Sequence, residues 1–123
     1  MRDLRIVVID DSEIIRDKLR RAFAEAAGCH LVGMAVRGED GFEIVRTERP
    51  DIVILDLCLP HLNGLETLRQ IREEDQRVLI VMFSGEDSLE MREACRSAGA
   101  NFYVVKTQLQ DLLALLQLAR RIT

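Results

Sequence analysis

The chain carries two short apolar runs that end in carboxylates, Ile6-Val7-Val8-Ile9-Asp10-Asp11 and Ile52-Val53-Ile54-Leu55-Asp56. Both runs are rich in β-branched residues and do not alternate with polar ones, which is typical of parallel strands buried on both faces. Ligands of open α/β sheets bind at the carboxyl ends of such strands. Asp10, Asp11 and Asp56 are therefore expected to converge there, and crowded carboxylates favour a hard divalent cation between them, Mg²⁺ or Mn²⁺.

The composition restricts the class of protein. A length of 123 residues suits a single domain over residues 1–123, and 48% hydrophobic residues is too apolar for a disordered chain. The net charge of −4 disfavours direct binding to nucleic acid, because no basic stripe is present to displace counterions. Cys29, Cys58 and Cys95 are widely spaced, so neither a disulfide framework nor a zinc site is indicated. No apolar run is long enough for a membrane span, and we expect a cytoplasmic protein without a membrane partner.

Outward from the two runs, the pattern alternates strand and helix five times. The predicted strands cover residues 5–9, 31–36, 52–55, 78–83 and 102–105. The first predicted helix begins at Asp11-Ser12 and ends at Gly28, and the other four cover residues 40–48, 65–73, 88–97 and 109–121. Strands separated by helices of this length form right-handed βαβ units, which predicts an α/β fold with helices on both faces of a parallel sheet.

Four of the five predicted strands end in a polar group: Asp10-Asp11, Asp56, Ser84 and Lys106. A carboxylate can attack phosphorus and form an aspartyl-phosphate. Phosphoryl transfer then depends almost entirely on positioning and on electrostatic stabilisation. Lys106 would supply positive charge, the Ser84 hydroxyl a hydrogen bond to a phosphoryl oxygen, and Gly85 a backbone N–H that can approach closely.

These residues resemble the receiver domain of two-component response regulators, and the resemblance covers the whole chain. Its motifs are the acidic pair Asp10-Asp11, the run Asp56-Leu57-Cys58-Leu59-Pro60 with Gly64, Ser84-Gly85, and Ala98-Gly99-Ala100 leading through Tyr103 to Lys106. The resemblance implies a flavodoxin-like (βα)5 doubly wound sandwich, with a five-stranded parallel sheet of order 2-1-3-4-5.

The resemblance also implies roles for the polar residues. Asp56 would be the phosphoacceptor and Lys106 would contact the phosphate. Mg²⁺ would be held by Asp11, Asp56 and the backbone carbonyl of Cys58, with Asp10 reaching it through water. The phosphoryl donor would be a phosphohistidine on a sensor histidine kinase or a phosphotransfer protein.

Ser84 and Tyr103 resemble the switch pair of this family. The Ser84 hydroxyl would move toward the phosphoryl group, and the Tyr103 ring would turn into the space that it leaves. A switch of this kind needs only a few kcal/mol of differential stabilisation. The face formed by the fourth helix, fifth strand and fifth helix would then change its binding partners, and it is a candidate surface for a homodimer.

The last helix carries more apolar residues than one core stripe requires. Its core stripe is Leu109, Leu112, Leu113 and Leu116. Leu115, Leu118 and Ile122 lie away from that stripe at helical spacing. Partial burial or fraying would explain them; the alternatives are a dimer or partner-docking surface, or the start of a helix that once continued into an output domain.

The residue after Lys106 departs from the family pattern. The family commonly carries proline there, often with a cis bond, whereas this chain has Thr107. A cis bond before threonine would cost about 2.5–4 kcal/mol. Either the loop is trans or the site is strained.

Four functions compete, and we favour a phosphoacceptor switch, which is not an enzyme beyond its own phosphorylation and autodephosphorylation. A phosphatase would commonly place a second acid two residues after the nucleophile, where this chain has Cys58. A flavin mononucleotide carrier would need a loop that cradles phosphate, and Asp10-Asp11 would repel it. The fourth candidate function is that of an unphosphorylated receiver-like assembly module. The receiver could also be detached from a helix-turn-helix DNA-binding transcriptional regulator.

Overall fold

The computed structural model describes residues 2–59 and 63–122. Its strands are β1 (Leu4–Ile9), β2 (Cys29–Ala35), β3 (Ile52–Leu55), β4 (Leu79–Ser84) and β5 (Phe102–Val105). Its helices are α1 (Glu13–Glu25), α2 (Gly38–Glu48), α3 (Gly64–Glu74), α4 (Leu89–Ser97) and α5 (Leu109–Ile122). Within this described part, no helix combines the length and the hydropathy that a membrane span requires.

The sheet is parallel throughout, with the strand order β2-β1-β3-β4-β5. This confirms the predicted flavodoxin-like order. Ile9, the last residue of β1, pairs with Ala35 of β2 on one side and with Leu55 of β3 on the other. Because Asp10 follows Ile9 and Asp56 follows Leu55, the register brings both carboxylates to the same edge of the sheet. The strand order reverses between β1 and β3, which is where such folds bind ligands.

Side chains of β1 enter two separate cores, which explains why the run does not alternate in polarity. Leu4, Ile6 and Val8 join the core that α1 and α5 cover. Val7 and Ile9 join the core on the other face, which α2, α3 and α4 cover. Burial on both faces fixes the strand, and therefore fixes the carboxylates that follow it.

Several element boundaries differ from the predicted ones by a few residues, and in two helices the local reason is visible. Helix α1 ends at Glu25, because Gly28 is already in the left-handed region with φ of 70° and turns the chain into β2. Helix α2 begins at Gly38, since Arg37 is extended and acts as its N-terminal cap residue. Arg49 ends α2 in a left-handed conformation, directly before Pro50, whose ring disfavours helical geometry at the residue that precedes it.

Helix α5 differs from the expectation at one residue of its outer face. Leu112 and Leu116 are fully buried, but Leu115 is also partly buried and packs against the same core. The apolar stripe is therefore wider than the four residues assigned to it, because a core-facing stripe spans about 100° or more of a helix. Leu118 and Ile122 remain exposed, by 52% and 72%.

Candidate functional site

Three carboxylates converge at the carboxyl edge of the sheet. One oxygen from each of Asp10, Asp11 and Asp56 lies within 4.8 Å of the others. Asp10 and Asp56 are 2% and 3% exposed, whereas Asp11 is open to solvent. The backbone of Asp56 continues the hydrogen-bond ladder between β1 and β3, since its N–H donates to Ile9 O at 2.9 Å. The convergence expected from the two apolar runs is therefore confirmed.

Lys106 lies between the two buried carboxylates. Its Nζ is 2.9 Å from Asp10 Oδ2 and 3.1 Å from Asp56 Oδ2. The Lys106 backbone N–H donates to Ser84 O at 2.8 Å, which continues the pairing of β4 and β5 beyond their last residues. One ammonium group is thus shared by two carboxylates and is fixed by its own backbone.

The electrostatics of the cluster leave it short of positive charge. Burial raises the pKa of Asp56 to about 6, and the negative charge of Asp10 adds to this rise. Lys106 and the N–H of Cys58 oppose the rise without cancelling it. Burial by itself would lower the pKa of Lys106, but the hydrogen bond and charge of Asp10, with those of Asp56, raise it above its ordinary value. Lys106 therefore stays cationic while Asp56 is pushed toward its protonated form.

The β1–α1 loop holds Asp10 from several directions. Asp10 Oδ1 accepts a hydrogen bond from the Ser12 N–H at 2.9 Å, and Ser12 Oγ caps α1 by accepting from the Ile15 N–H at 3.3 Å. Arg16 Nη1 donates to the backbone carbonyl of Asp10 at 2.9 Å. The start of this helix at Ser12 was predicted from sequence, but the role of Arg16 was missed. Its only sequence signal is an arginine in the first turns of the helix after the acidic pair.

Gly64 closes the loop that follows Asp56. Its N–H donates to Leu57 O at 2.8 Å, and a Cβ at this position would lie 2.1 Å from Asp56 O. Only glycine fits so close to that backbone. The Cys58 N–H donates to Asp56 Oδ1 at 3.2 Å, so Cys58 follows the phosphoacceptor candidate in the same turn. Pro60, the last residue of the quoted motif, lies outside the described residues.

The Cys58 side chain is exposed but poorly suited to act as a thiolate. Burial of its sulfur raises the pKa of Cys58, and the charges of Asp56 and Glu86 raise it further. A thiol with a raised pKa is a weak nucleophile at neutral pH. The contact of Cys58 with Asp56 is made by its backbone N–H.

The side chains of Ser84 and Tyr103 both form hydrogen bonds with the backbone of Glu86. Ser84 is 1% exposed, and its Oγ accepts a hydrogen bond from the Glu86 N–H at 3.1 Å. The Tyr103 hydroxyl donates to Glu86 O at 2.6 Å. Gly85 between them has open space where a side chain would stand. Sequence reasoning named Ser84, Gly85 and Tyr103, but could not anticipate that Glu86 links them.

The peptide bond between Lys106 and Thr107 is trans, since residues 2–59 and 63–122 contain no cis bond. The turn closes through a hydrogen bond from the Gln108 N–H to Val105 O at 2.8 Å. Of the two alternatives raised by Thr107, the chain adopts the trans loop.

The carboxylate cluster fits a small hard cation. Its donors are all carboxylate oxygens, which suit Mg²⁺ and Mn²⁺. Burial is the main cause of the raised pKa of Asp56, and the negative charge of Asp10 adds to it. The exposed position of Asp11 leaves a path from solvent to the buried pair. Asp10, Asp11 and Asp56 are thus the residues that could hold such an ion.

Comparison with known protein families gives one clear match. The family model described as "Response regulator receiver domain" matches residues 6–117. The chain is similar to the response regulator MprA of Mycolicibacterium vanbaalenii, with 36% identity over 122 residues. That match covers 98% of this chain and 52% of the relative, so the chain spans about half the length of the curated relatives it matches.

Solved structures support the same conclusion. A two-component response regulator of the LuxR family from Aurantimonas sp. SI85-9A1 superposes with a TM-score of 0.86 and 30% identity, covering 96% of this chain and 87% of that one. The receiver domain of the putative response regulator NarL from Mycobacterium tuberculosis has a TM-score of 0.88 and 23% identity, covering 97% and 98%. The second likeness speaks for the fold alone.

Proposed function

The chain belongs to the response regulator receiver domain family, and we propose that it is a signalling switch phosphorylated on Asp56. A sensor histidine kinase or a phosphotransfer protein would donate the phosphoryl group. The observation that carries this proposal is the environment of Asp56, a buried carboxylate with a second carboxylate and a lysine ammonium beside it. A carboxylate buried only for stability would not need a second negative charge in contact with the same cation.

The proposed step is an in-line displacement at phosphorus. An Asp56 carboxylate oxygen forms a bond to phosphorus while the bond from phosphorus to the donor imidazole nitrogen breaks, and that nitrogen keeps the electron pair. Asp56 must be ionised to attack, and its pKa of about 6 allows this at neutral pH. The Lys106 ammonium, 3.1 Å from Asp56 Oδ2, is close enough to turn to a phosphoryl oxygen.

We propose Asp11, Asp56 and the backbone carbonyl of Cys58 as direct ligands of Mg²⁺, with Mn²⁺ as a substitute. When bound, the ion would supply positive charge to the oxygens of the transferred group. Asp10 would contribute through water, as the resemblance to the family implies. Oδ1 accepts from the Ser12 N–H, and Oδ2 accepts from Lys106.

The switch would act through Glu86. A phosphoryl group on Asp56 would attract the Ser84 hydroxyl away from the Glu86 N–H, and Gly85 would offer its own N–H to the same group. The loop between β4 and α4 would then move together with Tyr103, because the Tyr103 hydroxyl is bonded to the carbonyl of Glu86. A differential stabilisation of a few kcal/mol is enough to invert such an equilibrium.

The proposed output is a change in protein contacts at the face formed by α4, β5 and α5. Leu118 and Ile122 are apolar and exposed on α5, which supports self-association at this face. A second candidate is a receiver detached from a helix-turn-helix DNA-binding transcriptional regulator, and the likeness to a two-component response regulator of the LuxR family at 30% identity favours it. Autodephosphorylation is expected as well, with a rate that the neighbours Cys58 and Glu86 influence.

Phosphorylation by a small donor tests the proposal. Acetyl phosphate or phosphoramidate with Mg²⁺ should add the mass of one phosphoryl group, as intact-mass spectrometry would record. Asp56→Asn should abolish the adduct, whereas Asp111→Asn, a matched change in the exposed first turn of α5, should leave it unchanged. No adduct on the unmodified chain, or an equal adduct on Asp56→Asn, would overturn the assignment.

A further inference from the structure

Arg92 of α4 contacts the ring of Tyr103. Its guanidinium carbon lies 4.9 Å from the ring centroid. Its Nε also donates to Asp87 Oδ1 at 2.7 Å, in the loop between β4 and α4. Tyr103 is therefore held at two points, by Arg92 on the face of its ring and by the carbonyl of Glu86 at its hydroxyl. We call the side chains of Asp87, Arg92 and Tyr103 the Asp87–Arg92–Tyr103 cluster.

The two ends of α4 are held unequally. Its one fully buried residue in the described structure is Cys95, in the second half of the helix. Just beyond the end of α4, Arg72 donates to Gly99 O from both Nε and Nη2, at 3.0 and 2.8 Å. At the start of the helix, Leu89 is 75% exposed. In the first turns of α4, Met91 packs against the core and Arg92 contacts Tyr103 of β5.

We propose that Arg92 is a positioning residue of the switch, which holds the Tyr103 ring against α4 by a cation–π contact and is itself oriented by Asp87. This inference rests on the proposed function, because it names how the switch pair is coupled to α4. The electron-rich face of the ring attracts the cation, and the planar guanidinium can stack on it while its Nε serves Asp87. Glu86 and Asp87 are adjacent, so a movement of that loop shifts both contacts of Tyr103 together.

The other arginines with comparable contacts lack this geometry. Arg96, one turn further along α4, pairs with Glu93 of its own helix. The second arginine–ring contact, Arg46 with Phe42, is longer at 5.8 Å and lies within one helix. An exposed ion pair alone contributes little. Arg92 differs because it joins a loop, a helix and a strand at the switch tyrosine.

The composition provides a direct probe. The sequence has one tyrosine and no tryptophan, so all tyrosine fluorescence arises from Tyr103 and no indole emission obscures it. In the unphosphorylated protein, Arg92→Gln should expose the ring and raise the acrylamide quenching constant by about two- to fivefold. Arg92→Lys keeps the cation and should restore much of the protection. Arg96→Gln, the matched control on the same helix, should behave as the unmodified chain does.

The outcome is decided by the difference between Arg92→Gln and Arg96→Gln. Equal quenching in the two variants, or no change in Arg92→Gln, would overturn the proposal. Asp87→Asn provides a second variant should Arg92→Gln misfold, and it should raise quenching in the same direction. Arg92→Gln should still acquire one phosphoryl group from acetyl phosphate, because Arg92 contacts Asp87 and Tyr103 and not the carboxylate cluster. Loss of that reaction in all variants would contradict the proposed function and leave the quenching result intact.

Discussion

At the scale of single residues, the site holds more negative than positive charge. Asp10 and Asp56 are both buried and share the ammonium of Lys106. Groups arranged to bind and react are commonly unfavourable for the stability of the free protein. Changes to Asp56 and Lys106 should therefore alter stability and metal binding as well as phosphorylation.

Asp56→Asn should stabilise the metal-free protein at neutral pH. The folded state raises the pKa of Asp56 from 3.8 to about 6, so the folded protein binds this proton more tightly than the unfolded chain does. The free energy of unfolding should consequently fall as pH rises through this interval, and the amide variant, which has no proton to lose there, should not show the fall. We expect a gain of about 1–3 kcal/mol at about pH 7.5, disappearing below about pH 4.

Urea unfolding in the presence of EDTA, at several pH values for both proteins, measures this gain. Adding Mg²⁺ should stabilise the unmodified chain more than Asp56→Asn, since the variant loses a ligand. A variant that is less stable at neutral pH, or a difference that does not change with pH, would contradict the electrostatic explanation.

Lys106→Ala should separate metal binding from phosphorylation. Removing the ammonium from between Asp10 and Asp56 removes a positive charge that opposes a cation in the same place, so Mg²⁺ should bind about tenfold more tightly. Phosphorylation by acetyl phosphate should nevertheless slow by about tenfold or more, because the phosphoryl oxygens lose a cationic partner.

Lys18→Ala is a matched control, since Lys18 is the other lysine of the chain and is exposed on α1. Calorimetric titration with Mg²⁺ and time courses of the phosphoryl adduct give the two quantities. If Lys106→Ala weakens Mg²⁺ binding, or leaves the reaction rate unchanged, the assigned role of Lys106 is incorrect.

At the scale of secondary-structure elements, the loops after β1 and β3 decide the geometry of the site. The paired residues Ile9 and Leu55 bring the two loops together. Each loop is then fixed by contacts of its own. Arg16 binds the carbonyl of Asp10 in the first loop, and Gly64 packs against the backbone of Asp56 in the second. The site is thus held mainly by backbone atoms.

Gly64→Ala should damage both the fold and the metal site. The added Cβ would lie 2.1 Å from Asp56 O and 2.6 Å from Leu57 Cα, so the loop or α3 has to shift. Overpacking of this kind typically costs about 1–3 kcal/mol, and Mg²⁺ affinity should fall because the same loop carries Asp56 and Cys58. Gly85→Ala is the control, since a Cβ there meets nothing within 4 Å. Equal unfolding curves for the two variants would argue against a structural role for Gly64.

The strands and the convergence of the carboxylates were predictable, because buried parallel strands have a distinct composition and the register of a sheet is regular. Strand β5 was predicted to the residue, and β3 likewise. The roles of Arg16, Arg72 and Arg120 were not predictable. Each reaches a backbone carbonyl outside its own helix, as Arg120 does in donating to Arg2 O at 2.9 Å. Hydropathy periodicity carries no signal for such contacts. It also does not show how wide a buried stripe is, and for that reason Leu115 was assigned to the outer face of α5.

At the scale of the whole molecule, the residues at the amino ends of the strands and those at the carboxyl ends have different roles. At the edge opposite the carboxylates, arginines tie loops and chain ends together. Arg72 donates to Val78 O and Gly99 O, Arg120 to Arg2 O, and Arg5 to Arg49 O. The carboxyl edge instead presents the carboxylates, Ser84 and Tyr103. The proposed switch would therefore involve only the loops at the carboxyl ends of the strands.

Leu118→Glu combined with Ile122→Glu should prevent association of the phosphorylated protein without destabilising the monomer. Both side chains are exposed, so a charge costs little in the monomer but would be buried in an interface at the face of α4, β5 and α5. Ile14→Glu, an equally exposed apolar position on α1, is the control. Sedimentation velocity before and after phosphorylation measures the effect. A phosphorylated variant that still associates would exclude this surface.

The function of the whole molecule depends on the phosphoryl group being carried by the carboxylate of Asp56, and trapping the acyl phosphate locates that group chemically. Borohydride reduces an aspartyl-phosphate to homoserine, and peptide mass spectrometry then identifies the modified residue. After treatment with acetyl phosphate and Mg²⁺, we expect homoserine in place of Asp56, while Asp10 and Asp11 remain aspartate. Homoserine in place of Asp10 or Asp11, or a phosphoryl adduct that yields no homoserine at all, would show that the assignment is wrong.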